Sequence, residues 1–171
     1  MRRVMIIGQP GSGKSTLARL LGQRTGLPVF HMDQIHWKPG WEPRDAPEKS
    51  RLCHQVHQQK EWIFEGGHSQ SWPERVGRCD TLIWLDVALS IRVWRVVWRT
   101  LRGYGRTRPD LPSNCPERFS LEFYQWIWST RHTARKKMAD TFHGADGEKL
   151  CVRLSNNEEV QNFLNRIDAN T

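Results

Sequence analysis

The stretch GQPGSGKST, residues 8–16, limits what this chain can fold into more than any other part of the sequence. It fits the pattern G-x-x-x-x-G-K-[ST], whose glycines let the backbone wrap around a phosphate with its amide groups pointing inward. The apolar run VMII precedes it and leucines at helical spacing follow, which predicts a strand, a turn and a helix N-terminus. We therefore predict a nucleotide-binding loop formed by Gly8, Pro10, Gly11, Ser12, Gly13, Lys14, Ser15 and Thr16.

Two side chains of this loop have predicted chemical roles. Lys14 would contact the β- and γ-phosphates of ATP, and the Ser15 hydroxyl would bind Mg²⁺. A carboxylate is expected beside the magnesium, at the end of a neighbouring strand. We assign Glu65 to the metal, because the two glycines that follow it would let a phosphate approach the strand edge closely. Gly66, the first of these glycines, is assigned to the substrate-binding residues.

Two further carboxylates lie at the ends of predicted strands. Asp33 ends the run at residues 27–33, where its carboxylate would accept a proton from an acceptor hydroxyl or hold a sugar hydroxyl. Asp86 ends the run at residues 81–86. A solvated or helix-capping carboxylate is the alternative for Asp33 and Glu65, since strand position is the only evidence for their roles.

The rest of the chain alternates short apolar runs with helical patterns. We predict strands over residues 4–7, 27–33, 62–67, 81–86 and 149–154. Helices are predicted from the phosphate-binding loop to residue 25, over 47–60 and 89–102, from Pro116 onwards, and after a capping box of Ser155 and Glu158, with loops over 38–47 and 103–117. This order predicts an α/β fold with a five-stranded, mainly parallel sheet flanked by helices, in a single domain over residues 1–171.

A second informative run, RVWRVVWRTLRGYGRTRP, occupies residues 92–109 and lies within a longer segment, 87–109, that has no acidic residue. Four of its arginines have the spacing of one helix face: Arg92, Arg95, Arg99 and Arg102. Such a face is repulsive unless an anion lies against it. Arg131 and Arg135 form a second basic pair, and the formal net charge of +8 also indicates an anionic partner. A solvated basic face is the alternative for both groups.

The tryptophans divide into two groups. Trp37 and Trp41 flank the loop sequence KPG just after Asp33, where their rings would stack on a flat acceptor such as a base. Simple burial is an equal alternative for this pair. The tryptophans on predicted strands and helices are expected in the core: Trp62, Trp84, Trp94, Trp98, Trp126 and Trp128.

The four cysteines lie far apart in the sequence. Their spacing predicts neither a zinc site nor a disulfide framework, and is typical of buried thiols in a reducing compartment. No apolar run has the length of a signal peptide or a membrane-spanning helix. We expect a soluble, cytoplasmic protein without a membrane partner, monomeric or dimeric.

Taken in order, these motifs resemble the adenylate-kinase-like group of small P-loop kinases. Within that group the chain looks most similar to bacterial proteins often labelled topology-modulation proteins. The narrower resemblance rests on GSGKSTLA, HMDQIHWKPGW, WIFEGGHS, RTRPD and CPERFSLEFYQWIW. With the first strand, the similarity extends from residue 4 to about residue 137.

The resemblance implies a parallel five-stranded sheet, an acceptor-binding segment at about residues 32–60 and a short mobile lid at about 100–118. It also implies phosphate-contacting arginines, namely Arg95 and Arg99 on the helix before the lid and Arg131 and Arg135 on the helix after it. The chain departs from the group in having Glu65 where an aspartate is usual and in lacking a cysteine cluster in the lid. It also has no clear match to the acceptor-side arginine of adenylate kinases, which disfavours AMP as the acceptor.

The sequence therefore favours an ATP- and Mg²⁺-dependent phosphotransferase. Its acceptor would be a nucleotide, a nucleoside or a similar small hydroxyl compound, bound near Asp33, Trp37 and Trp41. The alternative is a nucleic-acid-associated P-loop NTPase or regulator of DNA topology, in which the arginine and tryptophan side chains contact phosphates and bases. A third possibility is an ATPase without a dedicated acceptor.

Overall fold

The computed structural model describes residues 1–145, 147 and 149–168, so the predicted domain boundary at residue 171 lies outside the described residues. The strands are β1 (Arg3–Gly8), β2 (Val29–His31), β3 (Trp37–Lys38), β4 (Glu42–Pro43), β5 (Trp62–Glu65), β6 (Thr81–Leu85) and β7 (Leu150–Leu154). The helices are α1 (Lys14–Thr25), α2 (Met32–His36), α3 (Ala46–His57), α4 (Trp72–Arg78), α5 (Leu89–Gly103), α6 (Leu121–Ser129), α7 (Arg131–His143) and α8 (Asn157–Asp168). None of the helices in these ranges is long and apolar enough to cross a membrane.

Five strands form one sheet in the order β2-β5-β1-β6-β7, and every neighbouring pair is parallel. The predicted α/β class with a five-stranded parallel sheet flanked by helices is therefore confirmed. Strand β1 lies in the middle, with β5 on one side and β6 on the other. The carboxyl end of β1, where the phosphate-binding loop begins, thus lies between the carboxyl ends of β5 and β6. These two strands belong to separate crossover connections. Such a point in a parallel sheet is the usual position of a binding site.

The sheet is covered on both faces, which is why its strands read as continuous apolar runs. Alternate residues of β1 enter different cores. Val4 and Ile6 pack with residues of α1 and α8, such as Leu17 and Leu164. The other core contains Met5, Ile7, Trp62, Phe64, Trp84 and Met138, from β1, β5, β6 and α7. Full burial of each such side chain stabilises the fold by about 1.5–3 kcal/mol.

The predicted strand over residues 27–33 is shorter in the structure, and this changes the position of Asp33. Strand β2 pairs with β5 through the register Val29↔Ile63, Phe30↔Phe64 and His31↔Glu65. β5 ends at Glu65, because Gly66 turns the chain away with a φ of 113°. Residue 32 therefore has no strand to pair with, and the chain continues as α2. Asp33 lies in the first turn of that helix rather than at a strand end.

Three helix starts also differ from the sequence prediction. The helix expected from Pro116 begins at Leu121, where the Ser120 hydroxyl accepts a hydrogen bond from the amide of Phe123 at 3.2 Å. Pro116 instead forms an antiparallel bridge with Thr107 in the preceding loop, which keeps this part of the chain extended.

The capping box of the last helix is shifted by one residue from the predicted pair of Ser155 and Glu158. The Asn156 side chain accepts from the amide of Glu159 at 2.9 Å, and the Glu159 carboxylate accepts from the amide of Ser155 at 2.7 Å. The segment predicted as a loop over residues 38–47 contains the antiparallel β3–β4 hairpin. Helix α3 starts at Ala46, one residue before the predicted position, with the Asp45 carboxylate accepting from the amide of Glu48.

Burial of the tryptophans was predicted correctly for only part of the set. Trp62 and Trp84 are in the core, whereas four others are exposed: Trp94, Trp98, Trp126 and Trp128. On α5 the buried positions are Arg92, Val96 and Thr100, spaced four residues apart. Because this stripe faces the phosphate-binding loop, Trp94 and Trp98 are directed to solvent.

Candidate functional site

The phosphate-binding loop, residues 8–16, connects β1 to α1 at the centre of the sheet. Its conformation requires glycine at Gly11, where φ is 77° and an added Cβ would lie 2.3 Å from the carbonyl oxygen of Arg92. The Lys14 ammonium lies 3.3 Å from the carbonyl oxygen of Gln9, so it folds back over the loop. Burial lowers the pKa of Lys14 from its ordinary value.

Most of the predicted nucleotide-binding residues line one cleft: Gly8, Pro10, Gly11, Gly13, Lys14, Ser15 and Thr16. Ser12 lies buried beneath the loop, and its amide donates to the carbonyl oxygen of Gln9 at 3.1 Å. The cleft has a volume of about 1160 Å³. Pockets for a single small ligand commonly measure about 300–1,000 Å³, so this cleft exceeds the usual size of such a pocket.

Helix α5 holds the phosphate-binding loop in place. The Arg92 guanidinium donates to the carbonyl oxygens of Val87 at 3.0 Å and Pro10 at 3.2 Å. Arg95 donates to the carbonyl oxygen of Ser12 at 3.3 Å and to the Asn157 side chain at 2.6 Å. Arg92 is therefore a structural residue of the loop, whereas Arg95 both supports the loop and lines the cleft.

Glu65, at the end of β5, is almost fully buried and accepts two short hydrogen bonds. The Ser15 hydroxyl donates to its Oε1 at 3.0 Å, and Nδ1 of His31 lies 2.7 Å from the same oxygen. Burial alone would lower the pKa of His31, but the hydrogen bond and the charge of Glu65 outweigh it and raise that pKa. The contact with Glu65 thus favours the protonated form of His31. Sequence reasoning missed His31, although the parallel register places it directly opposite Glu65.

The oxygen atoms of Ser15 and Glu65 are the donor types that Mg²⁺ prefers, so these two residues fit a magnesium ion. The described part of the chain contains no cluster of three His, Cys, Asp or Glu side chains that would hold a metal by itself. A hydroxyl and one carboxylate complete a magnesium site only when phosphate oxygens supply the other ligands. The donor set therefore suits a metal that arrives with a nucleotide.

Asp33 lines the same cleft from the first turn of α2. Burial, and after it the negative charge of Glu65, raises the pKa of Asp33 above its ordinary value, although the nearby Lys14 opposes the shift. A carboxylate with a raised pKa is a stronger proton acceptor than an ordinary aspartate. Asp33 is therefore suited to remove a proton from a hydroxyl group.

The loop between α5 and α6 forms a cover beside the cleft. Arg99 on α5 lies 3.2 Å from Glu117, and Arg108 in the loop pairs with Glu117 and with Asp110, the latter at 2.6 Å. Both arginines line the cleft. Glu117 therefore ties the helix to the loop and keeps the two guanidinium groups together.

This cover is also joined to the β3–β4 hairpin. The Trp41 indole donates to the carbonyl oxygen of Pro116 at 3.1 Å, and the Trp41 amide lies 3.3 Å from the sulfur of Cys115. The Gln34 side chain donates to the carbonyl oxygen of Pro109 at 3.0 Å. Trp41 thus binds the cover rather than lining the cleft, while Trp37 lines the cleft and packs edge-on against Trp41.

The structure brings most predicted site residues into the cleft but not the second basic pair. Arg135 binds both oxygens of Asp86 at 2.8 Å, so Asp86 is a structural carboxylate. The Arg131 guanidinium lies 4.2 Å over the Trp128 ring. On α7 the cleft-facing positions are Ala134, Lys137 and Met138. Helix α7 begins at Arg131, and its rotation about its own axis directs Arg131 and Arg135 away from the cleft. Lys137 is the basic residue of this helix that faces the cleft.

Several other cleft residues were not identified from the sequence. They line the cleft outside the phosphate-binding loop: His36, Lys49, His68, Ser69 and Arg108. Gly66, which was assigned to substrate binding, is part of this lining, and an added Cβ there would lie 2.6 Å from Cβ of Met32. No motif marks the missed residues, because four separate segments of the chain contribute them.

Comparison with known proteins gives a family match and a set of structural neighbours. The sequence profile described as AAA domain matches residues 4–108 of the chain. No curated protein shows significant sequence similarity to it.

Shikimate kinase from Acinetobacter baumannii, solved in complex with shikimate, has a TM-score of 0.56 and 13% identity, covering 100% of this chain and 95% of the kinase. TT1252 from Thermus thermophilus has a TM-score of 0.56 and 18% identity, covering 98% and 96% of the two chains. A gluconokinase from Sinorhizobium meliloti 1021 has a TM-score of 0.51 and 13% identity, covering 99% and 94%. At these identities the likeness establishes a shared fold, that of P-loop kinases.

Proposed function

The chain belongs to the AAA domain family, and from this premise we propose that it is a kinase that transfers the γ-phosphoryl group of ATP to a small hydroxyl compound. One observation carries the proposal: a phosphate-binding loop and a half-buried aspartate, Asp33, line a single cleft of about 1160 Å³. The likeness of the fold to a shikimate kinase and a gluconokinase supports the proposal.

The donor end of the cleft is the phosphate-binding loop. Its amide groups and the N-terminus of α1 bind the phosphates, and Lys14 neutralises charge on the β- and γ-phosphates. Ser15 and Glu65 are the residues that would hold Mg²⁺, Glu65 through a water molecule. When bound with ATP, the ion supplies further neutralisation of phosphate charge.

At the acceptor end, Asp33 takes the proton of the acceptor hydroxyl. The freed oxygen attacks the γ-phosphorus, and the bond between that phosphorus and the bridging oxygen of the β-phosphate breaks, so that ADP leaves. Arg95 and Arg99 stabilise the charge that develops on the transferred group. Arg108 takes the place that the sequence assigned to Arg131 and Arg135, because it lines the cleft and they do not.

We assign two segments of the single domain to substrate handling. The segment at about residues 32–60 forms the acceptor side, and the segment at about 100–118 forms a lid that excludes water during transfer. Within the P-loop kinases we place the protein closest to the bacterial topology-modulation proteins, on the motifs that extend to about residue 137. We place its activity in the cytoplasm.

A coupled assay of ADP release over a panel of small hydroxyl compounds tests the proposal. We expect at least one acceptor to stimulate ADP release, and Lys14→Ala to abolish the stimulated rate. The charge-matched control is Lys60→Ala, since Lys60 is exposed and lines a separate shallow pocket. Release of ADP that no acceptor stimulates would identify an ATPase and would contradict the assignment as a kinase.

A nucleic-acid role is the second candidate, and the outer face of α5 favours it. The exposed rings of Trp94 and Trp98 stack with centroids 5.9 Å apart, and the Arg102 guanidinium lies 4.5 Å over the Trp98 ring. Such a surface suits stacked bases and backbone phosphates. Tight DNA binding at physiological salt, without nucleotide and undiminished by Lys14→Ala, would support this role over that of a kinase.

A further inference from the structure

A group of basic side chains from three separate segments lines the cleft. We call His36, Lys49 and His68 the basic wall; they come from α2, from α3 and from the loop after β5. None of the three belongs to the phosphate-binding loop, and His36 lies one helical turn after Asp33 on α2. Their presence beside the residue assigned to the acceptor therefore needs a separate explanation.

Lys49 has no partner for its ammonium group among the described residues. The carboxylate nearest in sequence, Glu48, is bound by Arg44 at 3.1 Å and by Lys38 at 3.5 Å. No carboxylate in the described ranges forms an ion pair with Lys49. The half-buried Lys49, which lines the cleft, is therefore free to bind an anionic ligand.

His68 is also held without a partner. Its Nε2 atom is buried and has no hydrogen-bond partner in the described part of the chain. The residue has a φ of 58°, which is uncommon for a side chain other than glycine. The amide and the hydroxyl of Ser71 both donate to the carbonyl oxygen of His68 at 3.0 Å and hold the residue in this conformation. The structure therefore fixes an imidazole whose ring nitrogen has nothing to bind.

A buried arginine adds positive charge behind the wall. Arg75 is 0% exposed, stacks 3.7 Å from the centre of the Phe64 ring and donates to the carbonyl oxygen of Gly66 at 3.2 Å. Burial lowers the pKa of Arg75 to about 10, so it remains charged at neutral pH. Burial, and then the charge of Lys49, lowers the pKa of both His36 and His68. The wall is thus short of negative charge.

The three carboxylates that line the cleft do not supply that charge. Glu65 is engaged by Ser15 and His31, and Asp110 is engaged by Arg108. The charge of Asp33 acts on the pKa of Lys14 and of His31, and no carboxylate acts on the pKa of His36 or of His68. In the described ranges, His36 and His68 form no ion pair with any carboxylate, as is also true of Lys49. A ligand with an oxyanion would satisfy the free ammonium, the unpartnered imidazole nitrogen and the field of Arg75 together.

We propose that the basic wall is an oxyanion subsite, so that the acceptor carries a carboxylate or a phosphate in addition to its reacting hydroxyl. The inference rests on the proposed function, because the subsite lies beside Asp33 in the acceptor half of the cleft. Lys49 forms a charge-assisted bond to the oxyanion, and the imidazoles of His36 and His68 donate to it. The anion fixes the acceptor at one end and leaves its hydroxyl free to reach Asp33.

A binding experiment separates this inference from the kinase reaction. With the phosphate-binding loop filled by a non-hydrolysable ATP analogue, calorimetric titrations compare glycerol 3-phosphate, glycerate and glycerol, which differ in the anionic group. We expect at least one of the two anionic probes to bind about tenfold more tightly than glycerol. A preference for the first indicates a phosphate acceptor and a preference for the second a carboxylate acceptor.

Variants then assign the effect to the wall. Lys49→Ala should weaken the preferred anionic probe by about tenfold, with the affinity for the ATP analogue unchanged. His68→Asn removes the imidazole but tolerates the left-handed backbone, so it should weaken the same probe in a folded protein. Lys60→Ala is the matched control and should bind like the wild type. Equal behaviour of the three probes, including no binding of any, overturns the subsite, whereas an acceptor-independent ADP release overturns the kinase.

Discussion

At the scale of single residues, Glu65 sets the charge state of its neighbours. It accepts hydrogen bonds from Ser15 and His31, and its charge contributes to the raised pKa of Asp33. It also opposes the lowering of the Lys14 pKa by burial. One buried carboxylate is thus in electrostatic contact with the residues assigned to the metal, to the phosphates and to the acceptor hydroxyl.

The first prediction concerns this carboxylate. Glu65→Gln keeps the shape of the side chain but removes its charge, so we expect kcat to fall by about 10–100-fold and the Mg²⁺ concentration for half-maximal rate to rise. Steady-state rates over a magnesium series measure both quantities. Glu61→Gln, whose carboxylate pairs with exposed Arg2, is the matched control and should leave both unchanged. A Mg²⁺ requirement identical to that of the wild type would contradict the assignment.

The second prediction is a pH dependence. Asp33 acts as a base only when deprotonated, and burial followed by the charge of Glu65 raises its pKa. Activity is therefore lost as the pH falls through that raised pKa, which lies above the value of about 3.9 for an ordinary aspartate. The acid limb of kcat/KM for the acceptor measures it. In Glu65→Gln the raising charge is gone, and the limb of the residual activity should move to lower pH; an unmoved limb would count against Asp33 as the base.

At the scale of elements, the short hairpin and the cover loop are one assembly. Strands β3 and β4 present Trp41 to the carbonyl oxygen of Pro116, and α2 presents Gln34 to the carbonyl oxygen of Pro109. The β3–β4 hairpin and α2 are therefore bonded to the cover loop on one side of the cleft. We expect a change in one of these segments to alter the position of the other.

A third prediction follows for this contact. Trp41→Phe retains an aromatic ring but removes the indole donor, so residues 103–117 should become easier to open. We expect faster amide hydrogen exchange in that segment and a higher KM for the acceptor, with the KM for ATP unchanged. Trp128→Phe, an exposed ring outside the cleft lining, is the control. Unaltered exchange in residues 103–117 would show that the bond does not hold the lid.

Strands and helices were predicted well from the sequence where the pattern lies within the segment itself. The apolar runs of β1, β5 and β6 and the glycine turn before α1 carry their own signal, because the strands are buried on both faces. The placement of Asp33 could not be predicted, since α2 begins where the neighbouring β5 stops. The end of β2 thus depends on its pairing with β5, which the sequence of β2 alone does not show.

The arginines illustrate the same limit at the candidate site. Helical spacing predicted that Arg92, Arg95, Arg99 and Arg102 share one face of α5. The first three contact the phosphate-binding loop or the cover, whereas Arg102 lies over the exposed Trp98 ring. The spacing also could not say that Arg92 would bind the carbonyl oxygen of Pro10. The rotation of α7 about its axis depends on the break between helices at Thr130. The outward direction of Arg135 therefore could not be predicted from helical spacing. The basic wall was hidden for the same reason, as its residues meet only after folding.

At the scale of the whole molecule, Asp86 joins three parts of the structure. It follows β6, and its carboxylate accepts from Arg135 on α7 and from Arg153 on β7, the latter at 2.5 Å. The carboxylate is nearly buried, while both arginines are about half exposed. A helix on one face of the sheet and the edge strand are therefore bound to the same side chain.

The fourth prediction concerns stability. Hydrogen bonds from Arg135, and also from Arg153, lower the pKa of Asp86 in the folded state although burial opposes them. Its contribution to stability is therefore complete above the unfolded pKa and is lost as the pH falls through the folded one. Asp86→Asn should lower the free energy of unfolding by about 1–3 kcal/mol at pH 7, and the difference should shrink in acid.

Urea unfolding at pH 7 and at decreasing pH measures this difference. Asp140→Asn, an exposed aspartate on α7, is the control and should change the midpoint little. Equal midpoints for Asp86→Asn and the wild type at pH 7 would mean that the three parts are held together by packing alone.

The hydrogen bonds between α5 and the phosphate-binding loop have a consequence for tryptophan fluorescence. Arg92 and Arg95 bond the carbonyl oxygens of Pro10 and Ser12, while the opposite face of the same helix exposes the stacked rings of Trp94 and Trp98. A movement of the loop would therefore act on these rings through the same helix. We expect the fluorescence of Trp94 and Trp98 to change on addition of a nucleotide, which an unlabelled titration would measure.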